Sequence, residues 1–127
     1  MSDERPLFSA LRAAARSSWQ STVVTALALL YARMLGAKPR FEGRTRLFIA
    51  SGMRGGFARA GTTVGGVFLT GKDPSARLIR HESVHADQWA RYGFTFPVRY
   101  WIEELRNPRG KNRFEIEAGL EDGGYVG

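Results

Sequence analysis

Apolar positions recur with helical spacing along the first third of the chain. Leu7, Leu11, Ala15, Trp19, Val23, Leu27, Leu30 and Met34 follow one another at intervals of three or four, and Val24, Ala28, Tyr31 and Leu35 widen the stripe. Pro6 suits a first helical position, and Gly36 followed by Lys38-Pro39 is a stop signal. The pattern predicts one long helix over residues 6–35. Such a helix is about 42 Å long at 1.5 Å per residue, somewhat more than the roughly 36 Å breadth of a domain of this size. It must run along the whole body, bend near its Ser/Thr cluster, or protrude. Its stripe reads as the backing of a core. Arg5, Arg12 and Arg16 flank its start, so a peripheral membrane contact or a dimer contact through this helix is the alternative.

From residue 40 the period changes. Arg40–Ala50 alternates as a strand, or as two short strands broken at Gly43. Arg54–Ala60 and Thr63–Thr70 read as two more, after turns at Ser51-Gly52 and Gly61-Thr62. The glycines of this region weaken strands but let other backbone approach closely. Asp73 and Pro74 then read as the N-cap and first position of a helix reaching Tyr92, with Gly93 placed to cap its end. Pro97 opens a helix over Val98–Arg106, and Asn112 caps a last one over Arg113–Leu120. These elements predict an α+β fold within one domain, residues 1–127. A long N-terminal backing helix precedes a small, Gly-rich sheet of three to four strands, and helices follow it.

Composition narrows the chemistry. The chain has 127 residues and no cysteine, which removes disulfides, thiolate-held clusters and cysteine-based zinc sites. Any metal must rest on nitrogen and oxygen. The net charge is +7, but unevenly placed: residues 1–80 carry 13 basic against 4 acidic groups, and residues 81–127 carry 6 against 8. A nucleic-acid binder would be more uniformly basic, and neither an aromatic–basic RNA motif nor a helix-turn-helix signal is present, so no nucleic-acid partner is expected. The acidic start of the chain lacks a secretory signal. The uncharged run Ser17–Ala32 is shorter and more polar than the roughly 20 apolar residues of a membrane span. The expectation is a cytoplasmic protein, with membrane association as the alternative for the first helix.

The only two histidines of the chain are four residues apart, in His81-Glu82-Ser83-Val84-His85. At about 100° per residue, His85 lies only about 40° from His81 around a helix and one turn along. Two imidazoles so placed can close on one metal ion. Glu82 falls about 100° from His81 and about 60° from His85, beside the metal rather than on it. There it can take a proton from a metal-activated water and deliver it to a leaving amine.

Two histidines need a third protein ligand, and His2Glu is one established catalytic set for zinc. Asp87 sits on the opposite face of the helix. Glu103 and Glu104 share a helix with Arg99 and Arg106 and read as solvent ion pairs. Glu115, between Phe114 and Ile116, is the favoured ligand, with Glu117 second. Asn112-x-x-Glu115 also fits a capping box, which would use Glu115 only to hold a helix start. Gln88 projects within about 20° of His81 and either lines the cleft or is an exposed helix residue. Trp89 and Tyr92 read as core. Tyr100 and Tyr125 are the phenols available to stabilise an oxyanion.

A His-Glu-x-x-His helix followed by a glutamate on a later helix resembles the gluzincins, a family of zinc metallopeptidases. Glu115-Ile116-Glu117-Ala118 is similar to the E-x-x-A-D segment of some members, whose first glutamate binds zinc. The order of backing helix, small sheet, active-site helix and glutamate helix resembles the minigluzincins, the smallest members. The resemblance implies a minimal zincin-like domain that hydrolyses peptide bonds of a peptide or protein substrate. It implies one Zn2+ on His81, His85 and Glu115, with Glu82 as general base. It also implies a substrate lying along an edge strand, for which Arg54–Ala60 and Thr63–Leu69 are both open. Gly119 stands where the family often has an Asp that supports a metal-binding histidine, so no side chain at that position can give this support. The alternative function is a non-catalytic metal-binding module that docks a protein partner or a membrane surface.

Overall fold

The computed structural model describes residues 6–55 and 61–119. In place of one long first helix there are two, α1 (Leu7–Ala14) and α2 (Trp19–Met34). The chain breaks where Arg16 and Ser17 take left-handed conformations, at φ 51° and 64°. Ser18 then caps α2, its hydroxyl oxygen accepting from the Ser21 N–H at 3.2 Å. The Arg16 guanidinium holds the corner. It donates to the carbonyls of Ala14 (2.7 Å), Thr45 (2.9 Å), Ser83 (3.1 Å) and Arg46, and to the Asp87 carboxylate at 2.6 Å. One side chain thus ties the helical corner to a strand turn and to the histidine helix. Desolvation by burial still leaves this guanidinium's pKa below its usual value, although Asp87 opposes the shift.

Arg40–Ala50 resolves into a hairpin, β1 (Lys38–Glu42) and β2 (Leu47–Ser51), paired antiparallel. Thr63–Thr70, expected as one strand, is a second hairpin: β3 (Thr62–Val64) and β4 (Val67–Leu69) turn on Gly65-Gly66. Gly65 has φ +61°, open to glycine at little cost. A Cβ on Gly66 would lie 2.5 Å from the Ala14 carbonyl oxygen, so this turn is pressed against the end of α1. The sheet order is β1-β2-β4-β3, with β2 and β4 parallel, which makes it mixed. Arg54 and Gly55 lie outside any strand, and residues 56–60 of the third expected strand lie outside the described residues.

The central strand β2 is covered on both faces, which is why Leu47, Phe48, Ile49 and Ala50 are all buried. Phe48, Ala50, Val67 and Leu69 face α1 and α2 with Ala10, Ala14, Ala28 and Ala32. Leu47, Ile49 and Phe68 face Ile79 and Ala86 of α3 (Ala76–Tyr92). A third cluster, Trp89, Phe96 and Phe114, joins α3 to α4 (Phe96–Arg106) and α5 (Arg113–Ala118). The cap of α3 is Ser75, not Asp73: its hydroxyl oxygen accepts from the Leu78 N–H at 3.1 Å, so the helix starts two residues after Pro74. Gly93 ends it at φ +60°, as expected. Asn112 caps α5 by accepting from the Phe114 N–H at 2.8 Å.

The large residues of the stripe expected to back the core face outward on α2, whereas those that widen it, Val24, Ala28, Tyr31 and Leu35, do pack on the core. On α2 the buried side chains are Ser21, Thr25, Ala28 and Ala32, whereas Trp19, Val23, Leu27, Leu30 and Met34 are exposed. Small residues let the helix lie close over the glycine turn, where the Gly66 N–H donates to the Thr25 hydroxyl at 2.9 Å. Large side chains on that face would hold it off. Among the described residues no helix is long and apolar enough to cross a membrane.

Candidate metal centre

Helix α3 carries His81, Glu82 and His85, all buried, to a cleft of about 720 Å³. Edge strand β3 forms one wall through Thr62 and Thr63, and α4 forms another through Pro97, Tyr100 and Trp101. Helix α5 brings in Glu115. The His81 and His85 Nε2 atoms are 3.2 Å apart, and Glu115 Oε1 lies 2.9 Å from the first and 3.1 Å from the second. These three atoms form a group able to hold a metal ion.

The outer ring nitrogens explain why. His81 Nδ1 donates to the Gly119 carbonyl at 2.8 Å, and His85 Nδ1 donates to the Gln88 amide oxygen at 2.7 Å. Both partners only accept, so each Nδ1 carries the proton and each neutral ring turns a lone pair inward. Two lone pairs and a carboxylate oxygen then converge, and only a proton or a cation can reconcile them. The spacing suits a cation. Ligand atoms at about 2.0–2.1 Å from a tetrahedral zinc lie about 3.3 Å from one another.

The surrounding residues lock this arrangement. The Gln88 amide N–H₂ donates to the Phe114 carbonyl (3.0 Å) and to Glu117 Oε1 (2.7 Å), which fixes the oxygen end on His85. Gln88 is therefore neither exposed nor a simple cleft residue. Tyr100 donates its hydroxyl to Glu115 Oε2, leaving Oε1 for the histidines. Gly119, with φ +95°, turns its carbonyl onto His81 and gives from the main chain the support that no side chain there can give. Burial alone would push both imidazoles down. The hydrogen bonds to Glu115, with the Gly119 carbonyl at His81, the Gln88 amide at His85 and the charges of Glu82 and Glu115, outweigh it and raise both above their ordinary value. Burial likewise opposes ionisation of Glu115, but the two imidazoles and Tyr100 hold it well below the usual carboxylate range.

Glu82 stands beside the group. Its Oε2 is 3.9 Å from His81 Nε2, and its Oε1 accepts from the Thr63 hydroxyl at 2.7 Å. The side chain is thus held toward the cleft by a residue of the edge strand. Trp89 is buried, with its indole N–H on the Thr63 carbonyl at 3.0 Å.

Of the other candidate carboxylates, Glu121 and Asp122 lie outside the described residues and the rest are engaged elsewhere. Asp87 pairs with Arg16 on the far face of α3. Glu117 accepts from Gln88 and lies 3.8 Å from Arg91. Glu103 accepts from the Asn107 side chain and the Arg113 N–H, and Glu104 accepts from the Asn112 side chain. These last two tie α4 to α5. Glu115 does not form a capping box. Tyr125 lies outside the described residues. Thr63, Tyr100 as a holder of Glu115, and the Gly119 carbonyl carry no motif of their own; only the chain path brings them to the site. Set against known protein families, curated proteins and solved structures, the chain finds no match.

Proposed function

We propose that this protein is a zinc-dependent metallopeptidase with His81, His85 and Glu115 as ligands and Glu82 as general base. The observation that carries the reading is the convergence of three lone-pair donors in one cleft, with a second buried acid placed beside them and held by Thr63. Zinc in such a set lowers the pKa of a bound water and polarises a carbonyl. Glu82 has one oxygen fixed by Thr63 and the other toward the group, so it is oriented to accept a proton from water and later to protonate a leaving amine. Gln88, Gly119 and Tyr100 keep the ligands from rotating away. The cleft is bounded by β3, so Thr62–Val64 is an edge along which an extended substrate could lie.

The test is metal analysis combined with peptide-library cleavage by wild type and Glu82→Gln. Both proteins should bind one zinc per chain, and Glu82→Gln should lose at least about 100-fold in kcat/KM. Equal cleavage by Glu82→Gln would refute the role of Glu82. Zinc binding without cleavage of any peptide, with chelation melting the fold, would make the site a structural one in a docking module.

A further inference from the structure

Among the described residues, most of the outward face of α2 is left uncovered. Trp19, Leu27 and Met34 are 68%, 61% and 75% exposed, and Val23 and Leu30 complete a stripe along the whole helix. Leu7 and Phe8 on α1 are exposed as well, and Trp19 meets the exposed Phe94 ring edge-on at 5.6 Å. A continuous exposed apolar stripe of this length marks a contact surface.

Charge selects the occupant. From Pro6 to Phe41 the chain has no acidic residue, while Arg12 on α1 and Arg33 on α2 are exposed. Two copies meeting through this face would bring cations against cations with no carboxylate from either helix to neutralise them. A surface of anionic lipid headgroups over acyl chains meets both features at once. Apolar side chains enter the headgroup–acyl boundary, the two arginines stay at the phosphates, and a tryptophan lies at the interface it favours. No described helix can cross a bilayer, so the contact lies on the membrane.

We infer that α2 docks this protein, in the plane of the interface, onto anionic membranes. Binding is independent of the peptidase reading and draws on none of the residues of the metal centre.

The test is co-sedimentation with phosphatidylcholine vesicles, plain or containing about 30% phosphatidylglycerol. Wild type should partition at least about tenfold better onto the anionic vesicles, and about 0.5 M salt should release it. Leu27→Glu/Leu30→Glu should abolish binding while keeping its melting temperature and zinc content. Both positions are solvent-facing, and Arg12→Gln/Arg33→Gln provides a second variant that should weaken binding without touching the apolar stripe. Failure to bind anionic vesicles, equal binding to neutral ones, or retained binding by Leu27→Glu/Leu30→Glu overturns the inference. So does a dimer in sedimentation velocity that the same double substitution dissolves, because the stripe would then be an interface between copies.

Discussion

The hydroxyls of Thr63 and Tyr100 donate to Glu82 and Glu115, and a methyl or a hydrogen in their place deletes those bonds. Thr63→Val leaves Glu82 Oε1 without its donor, and a charge-assisted bond of this kind is worth about 1.5–3 kcal/mol. We expect kcat/KM to fall roughly 10-fold or more with zinc content unchanged, and Thr63→Ser to restore most of it. A normal rate in Thr63→Val would mean that Glu82 needs no such hold. Tyr100→Phe frees Glu115 Oε2 instead, so the loss should fall on zinc affinity, about 10–100-fold by competition with a chelating dye. The titrating residues add a pH signature in the metal-free protein. His81 and His85 are raised above 6.5, so their contribution is complete below 6.5 and fades as pH rises through their folded values. Glu115 is depressed below 4.5, so its contribution is complete above 4.5 and fades only as pH falls through its folded value. Chelator-treated protein should therefore melt highest between 4.5 and 6.5. A melting temperature that rises from pH 6 to 8 in metal-free protein would contradict this.

At the level of elements, two contacts decide how the helices meet the sheet. Arg16 joins the α1–α2 corner, the β1–β2 turn and α3, and its removal leaves several carbonyls without a donor. Arg16→Ala should lower stability by about 3 kcal/mol in urea unfolding, and Arg16→Lys should rescue little because one ammonium cannot reach so many acceptors. Gly66→Ala would push a methyl into the Ala14 carbonyl and should lose about 1–3 kcal/mol. These same contacts explain what the residues alone did not disclose. The histidine helix, its Gly93 stop, the Asn112 cap and the pairing of His81 with His85 were legible, because helical rotation acts locally; Glu115 was only the favoured third member, with Glu117 open beside it, because the fold brings it from another helix. The break at Arg16-Ser17 was not, because it interrupts an apolar rhythm that continues unchanged on both sides. Nor was the buried side of α2. Ser21, Thr25, Ala28 and Ala32 repeat with the same period as the large residues beside them, and only the glycine turn beneath decides in favour of the small stripe. Gly65-Gly66 could be read as weak strand or as turn, and the parallel pairing of β2 with β4, a long-range choice, made it a turn.

For the whole molecule, the candidate metal centre would also be a clasp. His81 and His85 belong to α3 and Glu115 to α5, so a bound ion links the sheet-packed part of the chain to its last helix. Binding to the folded state alone stabilises it by about 4 kcal/mol at a thousand times the dissociation constant. For a domain of this size that is on the order of 10–20 °C in melting temperature. Chelation should lower the transition by that much, and zinc should restore it, read by differential scanning calorimetry. A melting curve indifferent to chelator would show that α5 is held by its apolar packing alone. The support on His81 has a different kind of durability. A peptide carbonyl cannot be lost by substitution, and φ +95° keeps glycine at 119 for its shape, not its reactivity. What can remove it is a break in the chain. A nick between Ala118 and Gly119 would leave all three proposed ligands in the chain and unmoor one of them, so cleavage at a single bond would loosen a bound ion without altering any side chain proposed to hold it.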